Sequence, residues 1–296
     1  MKKKTVLIGL GTIARHHSLG LRESALFDLV AVCDQNPDAV SRLCYPDLPF
    51  YEDARQMLAE IEPEVAVIAT SPASHSLLVS LCSEYGVFAL VEKPLATNQE
   101  DSEKMLSMLR QNCFNMIYHW MFSQEILWFK RCIRVYGARR IHFRVEDPYA
   151  DADGHIRPSR RFLGGCWIDS GVNVLSVLSL WANLDTVTPV RITHKKDGDI
   201  PVETHALLRA GNVDVEIDIS WLTGRNYKET TIQIGDDEYV LLHSLQSVSM
   251  NGETIFSDNS IERLDRHYYN FYCLYPSSLI SEKTTEAIHK LLIENI

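Results

Sequence analysis

The chain opens with an apolar run, a glycine turn and the start of a helix: TVLIGLGTIARHHS, residues 5–18. Residues 5–10 are almost wholly apolar, which is typical of a strand buried on both faces. GLGTIA at 9–14 fits the pattern G-x-G-x-x-G/A, with Ala14 in the third position. There the first glycine permits a tight turn, the second admits a pyrophosphate, and the helix N-terminus offers N–H donors. The stretch therefore predicts a dinucleotide-binding strand–turn–helix unit.

The next apolar run, LVAVCD at 29–34, ends in an acid. Asp34 follows Ala14 by twenty residues, the distance at which a carboxylate accepts hydrogen bonds from an adenosine ribose diol. The same carboxylate repels a 2′-phosphate, so NAD is favoured and NADP stays possible. The alternative is a purely structural turn. The residues expected to contact the cofactor are Gly9, Gly11, Thr12, Ile13, Asp34, Gln35, Thr70, Ser71, Pro72, His75, Glu92 and Lys93.

The pattern of strands and helices divides the chain. Up to about residue 120, continuously apolar strands alternate with helical segments, so we expect an α/β Rossmann fold with a doubly wound parallel sheet. Beyond it, IHFRVED at 141–147 and VDVEIDISW at 213–221 alternate as half-exposed antiparallel strands do. Between them, 166–183 predicts one long apolar helix. The prediction is an NAD(P)-binding Rossmann domain at 1–120. An α+β domain with an open, mainly antiparallel sheet follows at 121–296, for substrate binding and oligomerisation.

Charge and composition limit the classes of partner. The net charge is −10 without a long basic run, which argues against nucleic acid or an anionic membrane as a partner. Seven cysteines without a C-x-x-C pair indicate reduced thiols in a cytoplasm. No apolar stretch reaches transmembrane length. The histidines do not cluster with cysteines at zinc spacing, so no metal is expected.

A charged tripeptide follows the fourth apolar strand. VEKPLA at 91–96 places Glu92, Lys93 and Pro94 at the carboxyl end of that strand, the edge where doubly wound sheets bind ligands. Lys93 is therefore expected near the nicotinamide, although a solvated surface charge is the simpler interpretation. The peptide bond before Pro94 is a candidate for the cis form.

A second polar motif lies in the other half of the chain. In GGCWIDSGVN, residues 164–173, Asp169 and Asn173 are four positions apart and would share one face of a helix. Asp169 can exchange a proton and Asn173 cannot. We interpret the pair as half of an active site, approached between the glycines that bracket the aspartate. The alternative is that Asp169 caps the helix and Asn173 is polar lining.

These motifs together resemble the glucose–fructose oxidoreductase/inositol dehydrogenase/MocA (Gfo/Idh/MocA) family over essentially the whole chain. The glycine turn, E-K-P, and G-G-x-x-x-D-x-G-x-[H/N] carry the resemblance. The family's lysine falls on Lys93 and its aspartate on Asp169, whereas its usual histidine is Asn173 here. The pattern G-x-x-x-x-D-x-G-x-N-x-L-S is similar to bacterial L-arabinose and D-galactose 1-dehydrogenases, family members that keep the asparagine.

The resemblance implies roles for individual residues. Asp169 is the acid/base, Asn173 orients the sugar, and Lys93 completes the catalytic set. Substrate contacts are implied for His119, Glu146, His155 and Trp167. A homodimer or a higher homo-oligomer is also implied.

The chemistry of the motif favours one substrate class. An anomeric hydroxyl is more acidic than an ordinary alcohol, so a carboxylate suffices as its base. We therefore expect an NAD(P)-dependent dehydrogenase that oxidises C1 of an aldose to the lactone by hydride transfer. Alternatives are another sugar derivative (a keto-sugar, polyol, amino sugar or sugar acid) or a non-catalytic regulator.

Other polar residues have simpler interpretations. His16 and His17 are expected as a partly exposed pair on the first helix. The charged residues expected on the outer face of the second sheet, either solvated or in a subunit contact, are His205, Arg209, Glu216 and Asp218. An exposed loop face or an anion clamp for a sugar acid or phosphate explains Arg157, Arg160 and Arg161.

Overall fold

A six-stranded parallel sheet forms the centre of the first part of the molecule. In this computed structural model, which describes residues 1–296, its strands are β1 (Lys3–Ile8), β2 (Phe27–Cys33), β3 (Phe50–Tyr51), β4 (Val65–Ile68), β5 (Phe88–Glu92) and β6 (Phe114–Ile117). Their order is β3-β2-β1-β4-β5-β6. The order reverses between β1 and β4, where a doubly wound sheet opens a ligand-binding crevice. The expected Rossmann topology is confirmed.

Four helices connect these strands as the sequence predicts. They are α1 (Ala14–Glu23), α2 (Ala54–Ile61), α3 (His75–Glu84) and α4 (Gln99–Arg110). The Asn98 side chain caps α4, because it accepts a hydrogen bond from the backbone N–H of Asp101 at 2.9 Å. β6 ends at Ile117, and His119 begins a short 3-10 helix.

An eight-stranded sheet forms the centre of the second part. Its strands are β7 (Ala138–Glu146), β8 (Val187–Asp197), β9 (Ile200–Ala210), β10 (Val213–Ser220), β11 (Tyr227–Ile234), β12 (Asp237–Leu242), β13 (Ser247–Met250) and β14 (Glu253–Ser257). The order is β14-β13-β12-β11-β7-β10-β9-β8. Only β7 and β10 pair in parallel, so the mainly antiparallel sheet is confirmed.

Charged side chains pair with one another on the outer face of this sheet. Asp218 on β10 contacts His142 on β7 and His205 on β9, each at 2.7 Å. Arg209 contacts Asp214 at 2.9 Å. On the opposite face of β10, Val215, Ile217 and Ile219 are buried. The alternation in the sequence therefore gives one apolar and one polar face, as expected.

The apolar helix expected over 166–183 is broken. The remaining helices of the chain are α5 (Gln124–Cys132), α6 (Pro158–Arg161), α7 (Cys166–Asp169), α8 (Gly171–Leu178), α9 (Arg263–Leu274) and α10 (Glu282–Ile293). The break falls at Ser170, whose hydroxyl donates to Asp147 at 2.8 Å and accepts from the indole N–H of Trp221 at 3.1 Å. Gly171, a poor helix former, follows it. None of the ten helices combines the length and apolar character needed to cross a membrane.

The chain does not divide into two continuous stretches. One compact unit consists of Met1–His119 and Leu264–Glu282, and the other of Trp120–Arg263 and Lys283–Ile296. The sequence-based division at residue 120 assigned all of 121–296 to the second domain and gave no sign of this return. The returning residues explain a wrong expectation. His16 and His17 are buried rather than partly exposed, and the ring of His17 bonds to the hydroxyl of Tyr272 at 2.6 Å.

Candidate functional site

Gly9 and Gly11, in the turn after β1, are glycines for different structural reasons. Gly9 has a φ of +95°, and a Cβ there would lie 2.7 Å from the carbonyl oxygen of Ala69. It is therefore required by the packing of the turn against the end of β4. Gly11 is exposed, and a Cβ there would meet nothing within 4 Å. The space over Gly11 is thus open to a ligand.

The start of α1 fits the pyrophosphate of a dinucleotide. Thr12 is exposed and Ile13 is half-buried. No side chain caps the first turn of this ten-residue helix, and the N–H groups of Ala14 and His16 donate to the backbone carbonyls of Gly11 and Ile13. The positive end of the helix dipole is the feature that favours an anion there. The sequence did not indicate that Ser41 holds the turn from behind, where its hydroxyl donates to the carbonyl of Gly11 at 2.6 Å.

Asp34 is anchored to the same turn. Its carboxylate accepts a hydrogen bond from the backbone N–H of Leu10 at 2.6 Å and another from Asn36 at 2.8 Å. Asp34 is half-buried, and the neighbouring Gln35 is exposed. A carboxylate has about four acceptor positions, so two remain for a ribose diol.

The loop after β4 carries four of the expected cofactor residues. Thr70 is half-buried, Ser71 is exposed, Pro72 is buried, and His75 begins α3. The His75 ring contacts the carbonyl oxygen of Pro94 at 3.1 Å. Burial lowers the pKa of His75, so the ring is neutral at pH 7. His75 thus links this loop to the Lys93–Pro94 peptide, which is cis as the sequence suggested.

The acid of the E-K-P tripeptide faces inward. Glu92 is the last residue of β5, is buried, and lies 3.2 Å from the ring of His17. Burial opposes its ionisation, but the hydrogen bond from His17 and the charges of His17 and His119 outweigh burial, so the pKa of Glu92 lies below its ordinary value. Glu92 therefore supports the strand end that carries Lys93, a half-buried residue.

His119 belongs to a buried pair that the sequence did not reveal. Its ring nitrogen lies 3.0 Å from a ring nitrogen of His267, and its ring stacks on Tyr268 at 5.5 Å between centroids. The partners come from the returning segment, 148 positions away for His267. No local pattern could have predicted this pair.

Asp169 and Asn173 lie on either side of the helix break. Asp169 is the last residue of α7, with 4% of its surface exposed. It is not the N-cap of either helix, since Gly165 and Ser170 occupy those positions. The Asn173 amide nitrogen contacts the carbonyl oxygen of Asp169 at 3.5 Å. The Asn173 side-chain oxygen is buried and has no hydrogen-bond partner, so it can accept from a hydroxyl group.

The glycines around Asp169 do not open an approach path, contrary to expectation. Gly165 has a φ of +96°, and a Cβ there would lie 2.7 Å from atoms of Pro201. A Cβ on Gly171 would lie 3.0 Å from the ring of Trp167. Both glycines are thus required by the close packing of the second unit.

A buried ion pair lies beside this break. Lys228 on β11 contacts Asp147 at 2.6 Å, and Asp147 accepts from Ser170, the residue after Asp169. The sequence of β11 contains an indication of this ion pair. In YKETTIQI, Lys228 shares the inward register of Thr230 and Ile232. A lysine on the buried face of a strand requires a partner.

Tyr149 and Arg160 form a further pair near Asp169. The guanidinium of Arg160 lies 4.7 Å from the centre of the Tyr149 ring, within cation–π range. Burial, followed by the charges of Asp169 and Asp147, raises the pKa of Tyr149 far above its ordinary value. The hydroxyl is therefore neutral. Arg161, by contrast, is bound to Asp197 at 2.7 Å, and Arg157 precedes α6 at an exposed position.

The other residues expected to contact substrate lie in unlike environments. His155 is exposed in the loop before α6. Glu146 is buried, and its carboxylate accepts hydrogen bonds from Arg144 at 2.8 Å and Arg225 at 2.9 Å, so its oxygens are already occupied. Trp167 has no exposed surface and donates its indole N–H to the carbonyl of Leu292. Its position is that of a core residue, which corrects the expectation of a substrate contact.

Comparisons with known proteins support the nucleotide unit. Residues 3–117 match the Gfo/Idh/MocA family model, described as an oxidoreductase family with an NAD-binding Rossmann fold. Over 124 residues the chain is 29% identical to D-apiose dehydrogenase of Paraburkholderia graminis. That match covers 41% of this chain and 33% of that enzyme, so the chain matches a third of the relative's length.

Solved structures match the fold over nearly the whole chain. A myo-inositol dehydrogenase from Corynebacterium glutamicum is 14% identical with a TM-score of 0.78, and the match covers 100% of this chain and 96% of that one. An oxidoreductase from Agrobacterium radiobacter in complex with NAD+, L-tartaric acid and magnesium is 16% identical with a TM-score of 0.76, with coverage of 98% and 95%. At these identities the likeness concerns the fold.

Proposed function

We propose that this protein is an NAD-dependent dehydrogenase of the Gfo/Idh/MocA oxidoreductases, because residues 3–117 match the NAD-binding Rossmann model of that family. Its substrate is a sugar, and its reaction is oxidation of the C1 hydroxyl of an aldose to the lactone. The observation that carries the proposal is the pair at the helix break. There Asp169 is buried, and Asn173, whose amide nitrogen contacts the backbone carbonyl of Asp169, has a buried amide oxygen without a hydrogen-bond partner.

The two side chains divide the work at the reacting carbon. Asp169 takes the proton of the C1 hydroxyl, which the ring oxygen makes more acidic than an ordinary alcohol. Asn173 accepts a neighbouring sugar hydroxyl without titrating itself. Bound NAD supplies the hydride acceptor. Lys93, His119 and His155 keep the roles that the family resemblance implies, with the lysine stabilising the developing negative charge on oxygen.

NAD rather than NADP is the proposed cofactor. The open space over Gly11 and the uncapped start of α1 support a dinucleotide, and the anchored carboxylate of Asp34 favours NAD. The hydrogen bonds from the backbone N–H groups of Leu10 and Asn36 hold this side chain after β2, where a carboxylate disfavours a 2′-phosphate.

Asp169→Asn is the direct test. We expect the variant to lose about a hundredfold or more of kcat with the best aldose, because general-base catalysis contributes about 10²–10⁴. NADH fluorescence titration should show unchanged cofactor affinity. Asp153→Asn, in an exposed loop, is the matched control and should keep full activity. Sugar-dependent NADH formation by Asp169→Asn at the wild-type rate would show that Asp169 is not the base.

A sugar acid is the second candidate substrate. The Arg160 guanidinium over Tyr149, near Asp169, supplies a cation that a neutral aldose does not need. A structural neighbour holds L-tartaric acid, a dicarboxylate. A panel of neutral aldoses, aldonic acids and uronic acids with NAD decides between the two. Cofactor binding without turnover of any panel member would instead support a non-catalytic regulator.

The cysteines and the family resemblance bear on the location and the assembly of the protein. Seven free cysteines favour the reducing cytoplasm. A homodimer or higher homo-oligomer follows from the family resemblance, and the paired charges on the outer face of the second sheet are compatible with a subunit contact. Nucleic acid and membranes are not proposed as partners.

A further inference from the structure

Lys228 is a charged residue on the buried face of a sheet. Its side chain points inward from β11 in the register of Thr230 and Ile232, and only 7% of the residue is exposed. Transferring an ammonium group from water into such a place is costly unless all its donors are satisfied. Burial lowers the pKa of Lys228, and the charge of Asp147 opposes that effect.

Three acceptors satisfy the three N–H donors of Lys228. They are a carboxylate oxygen of Asp147 at 2.6 Å, the carbonyl oxygen of Glu146 at 3.4 Å, and the side-chain oxygen of Asn226. The ammonium group therefore has one orientation only. It fixes the first residues after β7 against the start of β11.

Asp147 passes this constraint to the helix break. Its second carboxylate oxygen accepts the hydroxyl of Ser170 at 2.8 Å, and the Ser170 oxygen accepts the indole N–H of Trp221 at 3.1 Å. Trp221 is itself fully buried. Two side chains, Asp147 and Trp221, thus contact the one residue that separates α7 from α8, and Lys228 is linked to it through Asp147.

Ser170 is the residue that follows the proposed base. We propose that Lys228 is a positioning residue that, through Asp147 and Ser170, holds the carboxylate of Asp169 for proton transfer from the substrate. This inference rests on the proposed function. The bond from the Ser170 hydroxyl to Asp147 restrains the backbone next to Asp169, and so restrains the point from which the carboxylate of Asp169 extends.

A purely structural role explains this network poorly. A buried ion pair contributes little net stability compared with apolar residues of similar size. An apolar residue is compatible with this face of β11, which also buries Ile232. The pair does supply one thing that apolar residues lack, a fixed cation within electrostatic reach of Asp169. The other charged or titratable groups facing Lys228 and Asp169 are Asp147, Tyr149 and Arg263.

Lys228→Met removes the ammonium group while keeping the length of the side chain. We expect kcat to fall about tenfold or more, because misplacement by about 1 Å can cost a hundredfold. The acidic limb of the kcat–pH profile should move upward by about one pH unit, because a nearby cation favours an ionised carboxylate. The dissociation constant of NADH should stay unchanged. Lys195→Met, an exposed lysine paired with Glu203 on the outer face, is the matched control and should resemble wild type.

Two further variants separate positioning from folding. Lys228→Arg keeps the charge and should recover part of kcat and the wild-type pH limb. Lys228→Met combined with Asp147→Asn removes both charges, so no unpaired charge is left in the core. This double variant should fold, return the pH limb towards wild type, and keep a kcat about fivefold or more below wild type. A folded double variant with wild-type kcat and pH profile would overturn the inference.

Hydrogen exchange gives a readout that needs no substrate. Amide exchange over residues 166–178 should accelerate in Lys228→Met and stay unchanged in Lys195→Met. Unchanged exchange in both would overturn the inference even if wild type oxidised no sugar. Conversely, a wild-type enzyme inactive on the whole panel, with faster exchange only in Lys228→Met, would refute the proposed function and support the network.

Discussion

Asp34 occupies the position where one carboxylate distinguishes the two nicotinamide dinucleotides. Its oxygens are held by the N–H groups of Leu10 and Asn36, so the charge cannot swing away from a ribose. Substitution by asparagine keeps one acceptor for these amides and removes the charge. The two amides donate to different oxygens of Asp34, so the asparagine variant loses one hydrogen bond of the turn as well as the charge that faces the cofactor.

We expect Asp34→Asn to raise KM for NAD about tenfold, since two charge-assisted hydrogen bonds become weaker neutral ones. KM for NADP should fall, because the repulsion of its 2′-phosphate is removed. Steady-state kinetics with NAD and with NADP measure the ratio of the two KM values. Asp38→Asn, exposed on the same loop, is the control. A ratio that stays at the wild-type value would contradict the role of Asp34.

Individual residues also show which features the sequence could predict and which it could not. The positions of Gly9, Gly11 and Asp34 around one turn were predictable because all three belong to a local strand–turn–helix pattern. The partners of Lys228 and His17 were not, because Lys228 and Asp147 are 81 positions apart and His17 and Tyr272 are 255 apart. A pairing at such distance leaves no periodicity in the sequence.

The β1–α1 connection is the element whose two glycines can be tested separately. Gly9→Ala should lower the free energy of unfolding by about 3 kcal/mol, from the left-handed φ and the clash with Ala69. Gly11→Ala should leave stability within about 0.5 kcal/mol but weaken NAD binding about tenfold, because its Cβ fills the open space. Urea unfolding and NADH titration measure the two effects. Equal NAD affinity in wild type and Gly11→Ala would show that the pyrophosphate lies elsewhere.

Elements with strong apolar patterns were predicted and weak ones were missed. Five of the six strands of the first sheet, all but the two-residue β3, follow the pattern directly, as do β7 and β10 of the second sheet. β8 was missed because VTPVRITHKKD is mostly polar and contains Pro189. A proline is tolerated in this strand because β8 lies at the edge of its sheet. The break at Ser170 was missed because its cause lies in Asp147 and Trp221.

At the scale of the whole molecule, one buried histidine links stability to pH. Burial lowers the pKa of His289 on α10 from 6.5 to about 4. At pH 7.5 the ring is neutral in both the folded and the unfolded chain. Below about pH 6.5 the unfolded chain binds a proton that the folded chain refuses, so the free energy of unfolding falls until the pH reaches about 4.

We expect the lowered pKa of His289 to decrease the free energy of unfolding of the wild type by about 2 kcal/mol between pH 7.5 and pH 5. His289→Leu should lose correspondingly less stability over that interval. Urea unfolding at the two pH values measures the difference, and His155→Leu, an exposed histidine, serves as the control. Identical pH dependence in wild type and His289→Leu would mean that His289 takes up its proton without unfolding.

The return of Leu264–Glu282 to the first unit affects how the molecule is made. Synthesis begins at the amino end, but α1 packs against a residue that is translated about 250 residues later. The packing is close, because a Cβ on Gly20 would lie 2.6 Å from the Tyr272 ring. Until that tyrosine has left the ribosome, Phe27 and His17 lack the rings that cover them. The first unit is thus synthesised first, but its packing is completed late. A nascent polypeptide stalled near residue 260 should therefore still be a substrate for chaperones and proteases.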